Sequence, residues 1–279
     1  MSIHAYATFG QLTEAGYLGT GTVIASYQTT LLRMLENASE EIDHLCFRHF
    51  NCLEGIHYFD GSGRTLIPSD DILSISELLL DMDGDATYET TITSGYYNLY
   101  PLNDYPKTYL KMNYTSGQGG FASGIIAGVK MTGVFGFGDG ILAAPNYDTA
   151  ITGTVATTTG TTLTLSAEGT IQAGHTIKVE SEQMYVSAVS SDTSKTATVL
   201  RAANGTTGAI HSAKIISVYH YPGPVVEAAL ILATAWWKQR ENPATFMAGD
   251  NITGTYTITK DIEKIIKSRL DHLIKRKLV

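Results

Sequence analysis

The first strong period in the chain runs through Leu31, Leu35, Ala38, Ile42, Leu45 and His49, spaced four, three, four, three and four residues apart, with Glu36, Glu40 and Asp43 between them. A stripe of that spacing covers one face of a helix, predicted over about residues 24–49. Two short apolar-flanked runs follow, 56–59 and 64–67, separated by Asp60-Gly61-Ser62-Gly63. That turn chemistry predicts a β-hairpin. Residues 72–80 alternate loosely before the polar turn 81–85, and a second strand pair is expected around 88–93 and 108–113. Between them lies an aromatic loop holding Tyr100-Pro101 and Tyr105-Pro106, because the residue before a proline is pushed towards extended geometry. Residues 129–137 read as a strand entering the glycine-rich Gly136-Phe137-Gly138-Asp139-Gly140.

From about Tyr147 the texture changes. Residues 138–235 hold neither Phe nor Trp, Thr dominates the polar positions, and short β-type runs recur at 161–165, 176–179, 184–189, 196–200 and 214–219. Gly, Ser, Asn and Asp clusters separate these runs, the pattern of a small all-β barrel or sandwich. Pro224 then suits the first turn of a second helix, with Val225, Ala229, Leu232 and Trp236 along one side and Asn242-Pro243 as its stop. A third helix is expected from about Lys260, with Ile262, Ile266, Leu270 and Leu273 on one face. Asp261 and Glu263 in its first turn and Lys275, Arg276 and Lys277 in its last complement the helix dipole. The expected fold is therefore α+β: a discontinuous helical core with a β-hairpin and short strands, residues 1–147 and 220–279, interrupted by an all-β domain at 148–219.

Composition narrows the class. The 279 residues are 43% hydrophobic and 16% charged, against a usual charged share of about 25%, so disorder is excluded as the main state. Sixteen Tyr against eight Phe and two Trp favour rings that sit half-buried, as at subunit contacts. The net charge of -8 argues against wrapping nucleic acid. It is also uneven: residues 260–279 carry +4, leaving -12 in residues 1–259. Two cysteines are too few for a disulfide scaffold and suit a reducing compartment. With neither a signal-like N-terminus nor an apolar run approaching the ~20 residues that span a bilayer, the expectation is synthesis in the cytoplasm and no membrane partner.

Candidate chemistry is thin. His44, Cys46, His49, Cys52 and His57 have metal-ligand types, but the cysteines stand without a second pair, and core packing explains Cys46. An EF-hand starting at Asp81 would need Gly and Glu where Ala86 and Ile92 stand, so the acidic run reads as a solvated turn. Gly19 with Gly21, and Gly136 with Gly138 and Gly140, lack the Lys-Ser/Thr of a P-loop and read as tight turns. No Gly-x-Ser-x-Gly or His-Glu-x-x-His occurs, so no catalytic residue, metal ligand or cofactor is expected. The adjacent Trp236 and Trp237 point about 100° apart on a helix, so either both are core or one meets a neighbouring subunit.

A first helix ending in Ala38-Ser39-Glu40-Glu41-Ile42-Asp43-His44-Leu45-Cys46-Phe47-Arg48-His49-Phe50, a hairpin reading Tyr58-Phe59-Asp60-Gly61-Ser62-Gly63-Arg64 then Leu66-Ile67-Pro68, Leu73-Ser74-Ile75-Ser76-Glu77-Leu78, Tyr97-Asn98-Leu99-Tyr100-Pro101, residues 129–138 and the helix from Pro224 closing on Lys238-Gln239-Arg240 together resemble bacteriophage head-tail connector proteins, the head-completion or adaptor proteins between portal and tail. The likeness covers about 25–140 and 222–242. In that family the glycine-rich strand end runs almost directly into the Pro-led helix, whereas here the β-module intervenes. That module, through residues such as Gly174-His175-Thr176 and Arg201-Ala202-Ala203-Asn204-Gly205, is similar to small β-modules appended to phage structural proteins for attachment or decoration.

The resemblance implies a non-enzymatic virion protein of the phage neck with a helical connector core. Its partners would be copies of itself in a ring, commonly twelvefold, the portal, and tail or neck proteins, with double-stranded DNA passing through the channel without specific binding. An acidic channel wall would repel phosphates. The cationic residues Lys260, Lys264, Lys267, Arg269, Lys275, Arg276 and Lys277 are then the candidate portal-docking set, and Trp236, Trp237, Tyr97 and Tyr100 the candidate subunit contacts. Two other classes stay open: a tail-associated receptor-binding protein whose β-module grips a host glycan, and a neck-associated glycan hydrolase.

Overall fold

A computed structural model describes residues 3–14, 16–19, 26–63, 66–113, 120–190, 194–241 and 257–275. Strand outweighs helix, 34% to 26%, and the strands form an open six-stranded sheet and a closed six-stranded barrel. The expectation of a helical connector core is therefore corrected: the chain is mainly β. The physical reason is that residues 48–145, read as loops and short strands around helices, build a sheet with its own apolar core. Contacts divide the chain into two units, one of Arg48–Pro145 and one joining Met1–Phe47 to Asn146–Lys275.

The sheet of the first unit consists of β1 (Leu53–Phe59), β2 (Leu66–Leu80), β3 (Thr90–Thr91), β4 (Tyr97–Tyr100), β5 (Lys107–Met112) and β6 (Val129–Phe135). Their order is β1-β6-β2-β5-β4, with β3 added to β2. Strand β6 alternates strictly, with Val129, Met131 and Phe135 facing a core that also holds Ile72, Leu78 and Leu110. The expected hairpin of residues 56–67 does not form. Strand β6 lies between β1 and β2 and runs antiparallel to both, so those two strands are parallel to each other and cannot be joined as a hairpin. The glycine-bearing turn bonds elsewhere: Gly61 N–H donates to Ile125 O at 2.8 Å, and Ala127 N–H to Asp60 Oδ1 at 2.9 Å. The second expected pair also separates, since β3 pairs with β2, and β5 with β2 and β4. Part of the Tyr-Pro loop is strand β4.

The barrel comprises β7 (Asn146–Val155), β8 (Thr162–Leu165), β9 (Thr176–Val179), β10 (Glu182–Val189), β11 (Thr196–Leu200) and β12 (His211–Tyr219). They close in the order β10-β11-β8-β7-β12-β9, all antiparallel. Alternation decides which side chains enter: Leu163 and Leu165, Ala197 and Val199, Met184 and Val186 fill the interior, and the intervening Thr162, Thr164 and Thr198 face out. Strand β7 escaped the sequence reading because Gly153 interrupts its apolar alternation. A Cβ there would come within 2.8 Å of Leu163 and 3.0 Å of Ile216, so the glycine makes room for two core side chains.

The same unit holds α1 (Phe9–Leu12), α2 (Gln28–Cys46), α3 (Gly223–Glu241) and α4 (Thr257–Leu270). The stripe of α2 is buried at Leu31, Leu35, Ala38 and Ile42 and continues through Cys46 rather than to His49, because Phe47 turns left-handed at φ 53° and ends the helix. The segment before α1 is sewn along α2: Tyr6 N–H donates to Ser39 Oγ at 2.9 Å and Tyr6 Oη–H to Asp43 at 2.5 Å. Tyr185 of the barrel donates to Glu36 of α2 at 2.7 Å.

Gly133 and Gly55 are paired partners on β6 and β1, yet their surroundings differ. A Cβ on Gly133 would stand 2.2 Å from Ser74 O, where β2 shifts register, whereas one on Gly55 would meet nothing within 4 Å. Gly133→Ala is expected to destabilise the protein by about 2–4 kcal/mol and Gly55→Ala by about 0.5 kcal/mol or less, read by urea denaturation. Equal effects would contradict the register described for β2 and β6.

Candidate functional site

Among the described residues the members of the cationic set stand in different surroundings. Lys264 and Lys267 of α4 are exposed, and Arg269 forms an ion pair with Glu227 of α3. Lys275 is half-buried and its backbone N–H donates to Cys46 O at 2.8 Å. The Lys260 side chain, Arg276 and Lys277 lie outside the described residues. On the apolar face of α4 and the turn after it, Ile266, Leu270 and Leu273 are buried, so the helix docks with its oil inward and its charge outward.

Of the aromatic set, Trp237 is buried and packs against Tyr27, ring centroids 5.3 Å apart, with the Arg240 guanidinium over both rings at 5.4 Å. Trp236 is half-buried. Tyr100 stacks on Tyr109 at 5.0 Å and 2°, and Tyr97 packs against the sheet core.

Among the described residues, the His and Cys candidates do not form a ligand group: Cys46 and Cys52 are buried, His44 and His49 are exposed, and His57 stacks on Phe135 at 3.7 Å. The acidic run does converge, with ligand atoms of Asp81, Asp83, Asp85 and Glu89 within 4.8 Å of one another. Its central carboxylate is already engaged by its own backbone. Asp81 Oδ1 accepts from Gly84 N–H at 2.6 Å and Asp83 N–H at 3.2 Å, and Oδ2 from Ala86 N–H at 2.9 Å. These N–H groups, Gly84 foremost, hold the Asp81 carboxyl below the usual carboxylate range. The arrangement is a turn closed on itself.

Two constellations in the second unit were not singled out from sequence. The first is a buried carboxylate at one end of the barrel. Glu182 is fully buried and accepts from Arg201 Nε at 2.7 Å and Nη2 at 2.6 Å, from the N–H groups of Ala202 and Ala209 at 2.9 Å each, and faces His211 Nε2 at 2.9 Å. Arg201 also donates to the carbonyls of Thr157, Gly160 and Ala209. Burial alone pushes a carboxyl up, but the guanidinium, the two N–H groups and His211 outweigh it and hold Glu182 at about 2. The clamp fixes the loop from Arg201 to His211, including left-handed backbone at Ala202 and Asn204 (φ 52° and 54°). The signal was a buried-type charge pair spaced nineteen residues apart, which no local pattern marks.

The second is a pocket of about 240 Å³. Residues of the segment before and within α1 (Tyr6, Thr8, Gln11), the start of β9 (His175, Thr176) and the end of β12 (Tyr219, then His220 and Tyr221) line it, with Val226 of α3 on one side. Tyr6 and Tyr221 rings meet edge-on at 4.8 Å. Gln172 N–H donates to His175 Nδ1 at 3.1 Å, which leaves the proton of the neutral ring on Nε2. Burial, and then His220 nearby, pushes the His175 pKa down to about 4. The sequence signal was the Tyr-His-Tyr run directly before Pro222, which alone reads as a strand end.

No family model matches the chain, and neither does any curated protein or solved structure. Among the described residues no helix is long and apolar enough to cross a membrane.

Because the Glu182 carboxyl sits at about 2 in the folded chain and near 4.5 when unfolded, its stabilisation is complete above about pH 4.5 and is lost as the pH falls towards 2. Glu182→Gln leaves Arg201 buried without its counter-charge and is expected to cost about 3 kcal/mol at neutral pH, with a flatter loss of stability between pH 4.5 and 2 than in the parent. Urea denaturation across that range measures both. A cost under about 1 kcal/mol would show that the clamp does not hold the barrel end.

Proposed function

We propose that the chain is a structural protein of a bacteriophage neck, a β-rich subunit of a homo-oligomeric ring, twelvefold in the form the resemblance implies, which joins portal to tail and extends the DNA channel. In this reading it is not an enzyme, and it resides in the virion at the head-tail interface.

The observation that carries the proposal is the open edge of the six-stranded sheet. Among the described residues β1 pairs only with β6, so its other edge carries unpaired backbone, and the face it turns away from the core bears Ile56 and Tyr58, 46% and 53% exposed. A solitary protein normally blunts such an edge with charge, proline or a bulge. Strand β1 holds no Lys, Arg or Pro, and its outer face is apolar at Ile56 and Tyr58, as suits a chain that meets copies of itself. Ile126 at 85% and Leu102 at 61% are further exposed apolar side chains of the same unit. The charge division supports the rest: an acidic body of -12 lets a duplex pass without sticking, and the +4 tail offers a docking end for the portal.

The double variant Ile56→Asp, Tyr58→Asp should fold, since both side chains are exposed, and should shift the assembled species to monomer in sedimentation velocity. Lys264→Glu together with Lys267→Glu, both exposed on α4 whose apolar face is buried, should abolish capture by the portal while leaving self-association in place. An assembly indifferent to the edge charges would refute the edge as a subunit contact, and undiminished portal capture would refute the tail as the docking element.

A further inference from the structure

The pocket between α1, the barrel end and α3 has a chemistry that selects its occupant. None of its lining residues is Asp, Glu, Lys or Arg. His175, which faces it, is neutral at ordinary pH because burial depresses its pKa to about 4. A charged ligand entering here would lose its hydration with no counter-charge to replace it. The occupant is therefore neutral.

It is also polar. Thr176 is 2% exposed, and its hydroxyl has no hydrogen-bond partner among the described residues. An unpaired buried hydroxyl costs about 1–3 kcal/mol, which a ligand or water oxygen would recover. Gln11 spends its Oε1 on the Thr8 N–H at 2.9 Å, which leaves its NH2 group as a donor, and His175 offers Nε2–H. Several neutral donors and acceptors thus stand beside the rings of Tyr6, Tyr219 and Tyr221. Flat aromatic surface beside a few fixed hydrogen-bonding groups is the composition of a small-molecule site. At about 240 Å³ the space falls below the range of about 300–1,000 Å³ for drug-sized ligands, so it takes one ring rather than a chain of rings.

We propose that this pocket binds a single neutral, hydroxyl-rich ring, the monosaccharide unit of a glycan, with its hydroxyls on Thr176, His175 and Gln11 and its C–H face against the tyrosines. The site is built by the N-terminal segment and α3 as well as the barrel, so the whole chain is needed to form it. It goes beyond the neck-assembly reading and does not depend on it, because no residue of the sheet edge or the basic tail contributes.

The test is saturation-transfer NMR on the full chain with glucose, galactose and N-acetylglucosamine as neutral probes, and glucuronate and glucose 6-phosphate as charged ones. At least one neutral sugar should bind with a Kd on the order of 1 mM, and the charged pair at least tenfold more weakly. Thr176→Val, which keeps the shape and removes the hydroxyl, should weaken binding by about tenfold, the worth of one hydrogen bond. Val226→Trp, which fills the space from the helix side, should abolish it, with circular dichroism confirming that each variant is folded. Gln11→Ala on the half-buried rim provides a second loss-of-donor variant if either fails to fold. No transfer from any neutral sugar, equal binding by the parent and these variants, or a preference for the charged probes would each overturn the proposal. Loss of ring assembly with sugar binding intact, or the reverse, separates this inference from the proposed function.

Discussion

The pairing of β7 with β12 is the constraint on which the helical and barrel unit depends. Asn146 at the start of the barrel and Tyr219 at its end are direct partners across these strands, so the chain comes back to where it left. Side chains reinforce the seam: Thr149 donates to Ile216 O at 2.7 Å and Ser217 to Asp148 at 2.6 Å. Closure through β9 then removes every free edge from the barrel, and its interior fills with aliphatic side chains. An excursion whose ends meet can be placed between two other segments without pulling them apart. Pro222 follows the seam at once, and α3 begins at Gly223.

The sheet of residues 48–145 answers to a different constraint, the position of β6 between β1 and β2. Its strict alternation supplies the core face, and Gly133 allows the Ser74 carbonyl of β2 to approach where the register shifts. Unlike the barrel, this sheet keeps two edges among the described residues, β1 and β4. The contrast carries the functional argument. The strands of one module close on one another, and among the described residues the other module's end strands each have a partner on one side alone.

What the chain revealed in advance follows from how local each signal is. Helices α2 and α3 and the barrel strands β8 to β12 were readable because their periods of 3.6 or 2 are complete within a few turns or residues. The hairpin at 56–67 was misread because a glycine turn looks the same whether the flanking strands pair with each other or with a third that arrives seventy residues later. Strand β7 was hidden by Gly153, whose missing side chain is itself the packing device. The balance of helix against strand went wrong for the same reason: the apolar runs of residues 48–145 were counted as short local pieces, and only long-range pairing joins them into a sheet. The Glu182–Arg201 clamp and the tyrosine and histidine pocket were illegible in principle, since each assembles residues that are distant in sequence.

The central claim is that this chain is a subunit of an assembly, its barrel finished and its sheet left open for a neighbour. Native mass spectrometry of the purified full chain, paired with electron microscopy of the same sample, tests it most directly. The account predicts one closed oligomer of fixed copy number that images as a ring with an axial opening. A strictly monomeric species at every concentration, alone and with portal present, would contradict it.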